Sequence, residues 1–352
     1  LIKDLYRKGL TPINITVDDK GKQSQALVFP WAIATYDNKE VSIPLLKNQM
    51  GASTTQKVIG SVQHLEYSFS DAFNKITKAK QKKVAIIKGN GELKEAFIAK
   101  FLLQVRDSYF IAPFTLDSVA KNPEGSLQAL KEYDLAVIAK PSEAFSESEK
   151  QVLDQYLMNG GKTIWLVDQV VAEIDSLYNP SGASLAYPRD LNINDLFFKY
   201  GIRINPEIVK DEQGSPIQLA SGEPGSATRF QQFNWKYAPL VTPISTHPIV
   251  KNLGGIKFDF ANSIDTLKNS IKKTVLSQSS PYSKRVGTPT AINLSMVSET
   301  TSPADYPNTG GIPLAVLLEG SFHSAFENRI KAFEQTNFQS TSKPTKMIVI
   351  SD

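Results

Sequence analysis

From residue 84 onward the sequence alternates continuous apolar runs with amphipathic stretches, and this alternation restricts the fold more than any other feature of the chain. Val84-Ala85-Ile86-Ile87, Tyr109 to Leu116, Leu135-Ala136-Val137-Ile138-Ala139 and Thr163 to Val167 read as strands apolar on both faces. Between them lie helical patterns over Leu93 to Val105 and over the segment capped by Ser146, which carries Val152, Leu153, Tyr156 and Leu157 and stops at Gly160-Gly161. Strands covered on both faces and joined by helices predict an α/β fold with a doubly wound, mostly parallel sheet.

The first 82 residues follow a different pattern. Ile13, Ile15 and Val17 alternate before an Asp18-Asp19-Lys20-Gly21 turn, and strands over Ala26 to Thr35 and Val41 to Leu45 flank a turn at Asp37-Asn38. Ser53 and Gln56 form a capping-box pattern ahead of Val58, Val62, Leu65, Phe69, Phe73 and Ile76 at helical spacing. The expected organisation is a small N-terminal α+β segment, 1–82, and an α/β sandwich domain, 83–352. With 352 residues, two cores are also what chain length favours.

Beyond Glu173 the pattern weakens. Ile193 to Tyr200 reads as a short helix and Ile202 to Val209 as a strand. Residues 211–248, rich in Gly, Pro, Ser and Gln, read as a long loop insertion carrying Phe230, Phe233, Trp235 and Tyr237. Later strands are expected at Lys257 to Phe260, Thr274 to Leu276, Ile292 to Met296, Leu314 to Leu318 and Met347 to Ile350, and His323 begins a helical pattern.

Bulk properties narrow the chemistry. The net charge of +4 is scattered apart from Lys78, Lys80, Lys82 and Lys83, which argues against a nucleic-acid partner. There are no cysteines, so thiol nucleophiles, disulfides and thiolate metal sites are excluded. His64, His247 and His323 lack metal-pair spacing, Gly182, Ser184 and Gly320-Ser321 make no hydrolase elbow, and no cofactor motif is complete. The expectation is a protein without catalytic residues, metal or cofactor.

Three groups remain as binding candidates. Gly89, Asn90 and Gly91 follow a strand and precede a helix, where backbone amides can meet an anion, although Lys94 stands where the dinucleotide fingerprint has its third glycine. Asp168 ends one strand and Asp352 another, at the edge where open α/β sheets place ligands. Tyr178, Tyr187, Phe230, Phe233, Trp235 and Tyr237 either pin long loops to the core or contact glycan or protein.

Lys162-Thr163-Ile164-Trp165-Leu166-Val167-Asp168, the run from Asp195 to Pro206, Ser279-Ser280-Pro281-Tyr282-Ser283, Gly310 to Gly320 and Lys346 to Asp352 together resemble the GldG-like auxiliary subunits of gliding-motility ABC transporters. The resemblance implies a sheet similar to glutamine-amidotransferase and intraflagellar-transport-related domains, without the cysteine nucleophile. It implies a region on the periplasmic face of the cytoplasmic membrane, anchored by transmembrane segments outside this sequence. The partners it implies are the permease and ATPase subunits, with envelope motility proteins or a glycan as further ligands. The function that follows is a non-catalytic binding and assembly module, with carbohydrate binding as the alternative.

Overall fold

The structure, a computed structural model, describes residues 2–19, 22–47, 52–221, 229–306 and 309–352. The chain divides into two compact units, Leu1–Gln81 and Lys82–Asp352.

In the first unit, helix α1 (Ile2–Arg7) precedes two antiparallel hairpins, β1 (Ile13–Asp19) with β2 (Lys22–Val28) and β3 (Trp31–Tyr36) with β4 (Lys39–Pro44). Asp37 and Asn38, both at positive φ (45° and 59°), make the second turn, meeting the left-handed requirement of a two-residue hairpin. Helix α2 (Thr54–Thr77) starts at Ser53, whose hydroxyl accepts from the Gln56 amide while the Gln56 side chain accepts from the Ser53 N–H. The face α2 buries is Ser61, Ser68, Ala72 and Ile76, whereas Val58, Val62 and Phe73 are more than half exposed. Of the apolar series, Ile76 is buried and Leu65 and Phe69 are half-buried, and the other buried positions of α2 are the small residues Ser61, Ser68 and Ala72.

The second unit begins with β5 (Lys83–Lys88), α3 (Glu95–Ser108), β6 (Phe110–Thr115), α4 (Pro123–Leu130), β7 (Leu135–Ala139), α5 (Glu147–Met158) and β8 (Lys162–Leu166). There follow β9 (Val170–Val171), β10 (Ala183–Pro188), α6 (Asn194–Tyr200), β11 (Ile202–Ile204), β12 (Glu207–Asp211), β13 (Gly214–Ser221) and β14 (Arg229–Val241). The last strands are β15 (Ile256–Lys257), β16 (Ile264–Thr266), β17 (Lys272–Gln278), β18 (Ser283–Gly287), β19 (Thr290–Asn293), β20 (Pro313–Gly320) and β21 (Thr345–Ile350).

Seven of these strands form one sheet in the order β17-β20-β21-β8-β7-β5-β6. From β21 to β6 all neighbours are parallel, while β20 and β17 extend the sheet antiparallel at the other edge. The result is a mixed α/β unit built on a large, mostly parallel sheet. Alternation along each strand divides the two faces: Ala85, Ile87, Ala136, Ile138 and Trp165 pack with α4, α5 and α6, whereas Val84, Ile86 and Val137 pack against Ile98, Leu102 and Val105 of α3.

Helix α5 is buried continuously from Lys150 to Met158, polar residues included. An irregular strap, residues 321–344, covers it, and the helix's own amides hold the strap in place. Gln151 Oε1 accepts from the Ala332 N–H at 2.7 Å, and its Nε2 donates to the Phe333 carbonyl at 3.1 Å. Asp154, fully buried, accepts from the Ser324 hydroxyl, the Ala325 N–H and the Tyr200 hydroxyl at 2.7–2.8 Å. His323 lies in this strap, in an isolated bridge to Thr341, and begins no helix.

Residues 214–221 and 229–241, within the loop insertion that composition predicts over 211–248, are strands, and 222–228 lie outside the described residues. Strands β13 and β14 pair antiparallel, with Ile217 opposite Phe233 and Ser215 opposite Trp235, and β14 continues to Val241 to pair with β15. Pro239 is accommodated where the register shifts at Gly214/Ser215. The single strand expected over Ile202 to Val209 is two, β11 and β12, divided at Asn205-Pro206.

Candidate functional site

The strand order reverses between β5 and β7: the chain first crosses from β5 outward to β6, then returns past β5 to β7, β8 and finally β21. The crevice at the carboxyl ends of strands beside such a reversal is where open parallel sheets bind ligands. Here that end carries a connected set of charged side chains.

Lys140 follows β7 directly, at a φ of 53°, with its N–H bonded to the Leu166 carbonyl. Its Nζ lies 2.9 Å from Asp168 Oδ2 and 3.1 Å from Glu173 Oε1. Asp168, just beyond β8, is only 3% exposed. Burial pushes its carboxyl up, against the opposing pull of the Lys140 charge and hydrogen bond. Burial alone would drive the Lys140 ammonium toward its neutral form, but Asp168 and Glu173 outweigh it and hold the ammonium well above the usual lysine range. Asp352, beyond β21, has its carboxyl pushed up to about 7 by burial and by the neighbouring Asp168 charge. The Asp259 charge lies close enough to push the same carboxyl up as well.

A backbone scaffold fixes these groups. The Gln169 N–H donates to Asn262 Oδ1 at 2.6 Å, Asn262 Nδ2 donates to the Glu207 carbonyl at 2.9 Å, and the Asn262 N–H donates to the Ser351 carbonyl. The Arg189 N–H donates to the Gln169 carbonyl at 2.8 Å, which brings the guanidinium charge close enough to act on Asp168. Of the sequence candidates, Asp168 and Asp352 are brought together. Lys140, Glu173, Arg189 and Asp259 join them without having been singled out. A lysine directly after the apolar run Leu135–Ala139 was the one signal available for this group.

The glycine loop after β5 has a different role from the one expected. One of its amides is taken by the chain itself: Glu92 Oε2 accepts from the Asn90 N–H at 2.9 Å. An internal carboxylate thus occupies the anion position formed by Gly89, Asn90 and Gly91. Gly91, at φ 68°, is required for packing, since a Cβ there would lie 2.1 Å from Ser142 Oγ.

The aromatic group separates. Trp235 and Tyr237 are 1% and 3% exposed and form a core cluster with Phe260, with ring centroids 5.5–6.3 Å apart. Phe233 packs against the same cluster from its edge. Tyr178, Tyr187 and Phe230 are the members that face solvent; Tyr187 lies on β10, Phe230 on β14 and Tyr178 in the connection between β9 and β10. Trp235 and Tyr237 are therefore unavailable to a glycan or partner; they serve the core because β14 is a central strand of its own small sheet, between β13 and β15.

Among the described residues no group of three His, Asp or Glu side chains could hold a metal ion, and no helix is long and apolar enough to cross a membrane. Residues 81–352, the whole of the second unit, match the model of a family described as an ABC-type uncharacterized transport system, its auxiliary component. The chain belongs to this family.

An uncharacterized protein of Borreliella burgdorferi is 23% identical over 277 residues, covering 77% of this chain and 51% of the relative. The chain thus spans about half the length of the curated relative it matches. Among solved structures, the mmIFT52 N-terminal domain aligns with 77% of this chain and 86% of its own, at 14% identity and a TM-score of 0.43.

Proposed function

We propose that this chain is a non-catalytic, extracytoplasmic binding and assembly module of an ABC transport complex, working beside a permease and an ATPase and held at the cytoplasmic membrane by segments outside this sequence. The observation that supports it most is the match of the auxiliary family to the entire second unit. The site is consistent with binding: two of its carboxylates, Asp168 and Glu173, are paired with Lys140, and the sequence contains no cysteine to serve as an amidotransferase-type nucleophile. A doubly wound sheet akin to the amidotransferase and intraflagellar-transport domains, and a role in gliding motility, follow from the sequence resemblance and belong to the same proposal.

The test is capture from detergent-solubilised envelope of a gliding bacterium with the intact chain as bait. Recovery of permease, ATPase or motility components supports the proposal. Their absence, with a measurable turnover by the chain alone, overturns it.

Carbohydrate binding retains one specific support, away from the residues first considered. Tyr282, about half exposed, borders a cleft of about 200 Å³ with Glu212, Thr301, Ser302 and Tyr306, and an aromatic face beside a carboxylate and hydroxyls suits a sugar ring. Under that reading Tyr282→Ala abolishes retention on immobilised glycans. Unchanged retention, or none by the parent chain, removes the reading.

A further inference from the structure

Backbone strain, orphaned polar atoms and surplus charge converge on the carboxyl-end cluster. Seven non-glycine residues among those described have positive φ, and five of them are Asp or Asn, whose side chains tolerate the left-handed region. The other two are Lys140 (53°) and Phe260 (54°). Both flank this cluster, since Lys140 holds Asp168 and Glu173, and Phe260 follows Asp259, which neighbours Asp352. Strain of this kind persists only where the surroundings impose it and collects at ligand sites.

The same place concentrates unsatisfied groups. Asp168 Oδ1, Asp259 Oδ1 and Arg189 Nε are buried and have no hydrogen-bond partner, so acceptors outnumber donors. Charge is unbalanced in the same sense. Lys140 is shared between Asp168 and Glu173, Lys257 holds Asp259 at 2.7 Å, and among the described residues no ion pair reaches Asp352. The Arg189 guanidinium reaches Asp168 only through its field.

We infer that the cluster binds an organic cation, an ammonium or guanidinium group that donates to Asp168 Oδ1 and to the Asp352 carboxylate. A metal ion is the poorer fit, because the set offers no group of three ligands and Lys140 Nζ already lies on Asp168, where it would repel one. Lys140 and Asp352 are the partly exposed members of the set. The group can come from a free solute or from a Lys or Arg side chain of a partner. This inference rests on reading the chain as a binding module and names what its site takes.

The experiment titrates the intact chain with methylammonium, methylguanidinium, and blocked tripeptides with a central Lys or Arg, following the Asp352 side-chain carboxyl by ¹³C NMR. Urea and a norleucine-centred tripeptide are the neutral controls. Cation binding is expected to lower the Asp352 midpoint toward the ordinary aspartate range. Asp352→Asn is expected to weaken binding about tenfold, while Asp352→Glu keeps it. Equal binding of the free cations and the peptides identifies a solute; binding of the peptides alone identifies a partner's side chain. No displacement by any cation, or the same displacement by the neutral controls, overturns the inference and leaves these oxygens to water. A chain that binds no cation yet still captures the permease loses this inference and keeps the functional reading. One that binds a cation and captures nothing keeps the inference and loses that reading.

Discussion

The side chain of Gln155 on α5 pairs with both backbone groups of Gln339: its Nε2 donates to the Gln339 carbonyl and its Oε1 accepts the Gln339 N–H, each at 2.9 Å. A helix side chain thus replaces a neighbouring strand for a segment that belongs to no sheet. The same Oε1 accepts from Gln335 Nε2 at 3.1 Å, so one amide satisfies three groups of the strap.

Gln155→Ala is accordingly expected to cost about 2–4 kcal/mol, because buried partners are left unmade rather than exchanged for water. Urea denaturation measures the loss. Limited proteolysis is expected to cut within 321–344 first, since the strap depends on α5 for its backbone bonds.

Trp235 and Phe230 lie on the same strand and are expected to differ by an order of magnitude. Trp235→Ala empties a core position and should cost about 3–5 kcal/mol. Phe230→Ala, at a residue 71% exposed, should stay within about 0.5 kcal/mol. Equal effects on thermal stability would contradict the placement of β14.

Asp352 makes a pH prediction of defined sign. Its carboxyl is raised to about 7 in the folded chain, against an unfolded value of about 3.9, so folding favours the protonated form. Its stabilising contribution is complete below the unfolded value and is lost as pH rises through about 7. Denaturant midpoints should fall across that window, and Asp352→Asn should flatten the fall.

Asp195 has the opposite sign. Burial would raise its carboxyl, but hydrogen bonds from Arg329 at 2.6 Å and Lys150 at 3.0 Å outweigh burial and hold it below the usual range. Its contribution is present above the unfolded value of about 3.9 and is lost as pH falls through the depressed folded value. Asp195→Asn should remove part of the acid limb of the stability profile.

The parallel half of the sheet was legible because β5, β7, β8 and β21 each carry an apolar run, Val84–Ile87, Leu135–Ala139, Ile164–Leu166 and Met347–Ile350, whose side chains are buried or half-buried. The caps at Ser53 and Ser146 were legible because a capping box is a local pattern, and both form. Strands β13 and β14 were not, because their pairing is long-range and their Gly and Pro residues carry the local signature of loops. The strap over α5 was hidden for a related reason: Gln151, Asp154 and Gln155 read as solvent-facing until the segment that they bind is in place. At the candidate site, Asp168 and Asp352 could be read as strand-end acids. Lys140 and Glu173 matter only through the fold that brings them to Asp168.

The central claim, membership in a transport assembly as a binding component, is tested most directly by reconstituting the purified chain with its permease and ATPase in detergent and measuring complex formation together with ATP hydrolysis. The expected result is a complex that survives size-exclusion chromatography, an ATPase rate altered by the chain, and no turnover by the chain alone. A chain that elutes apart from the transporter and leaves its ATPase rate unchanged would contradict it.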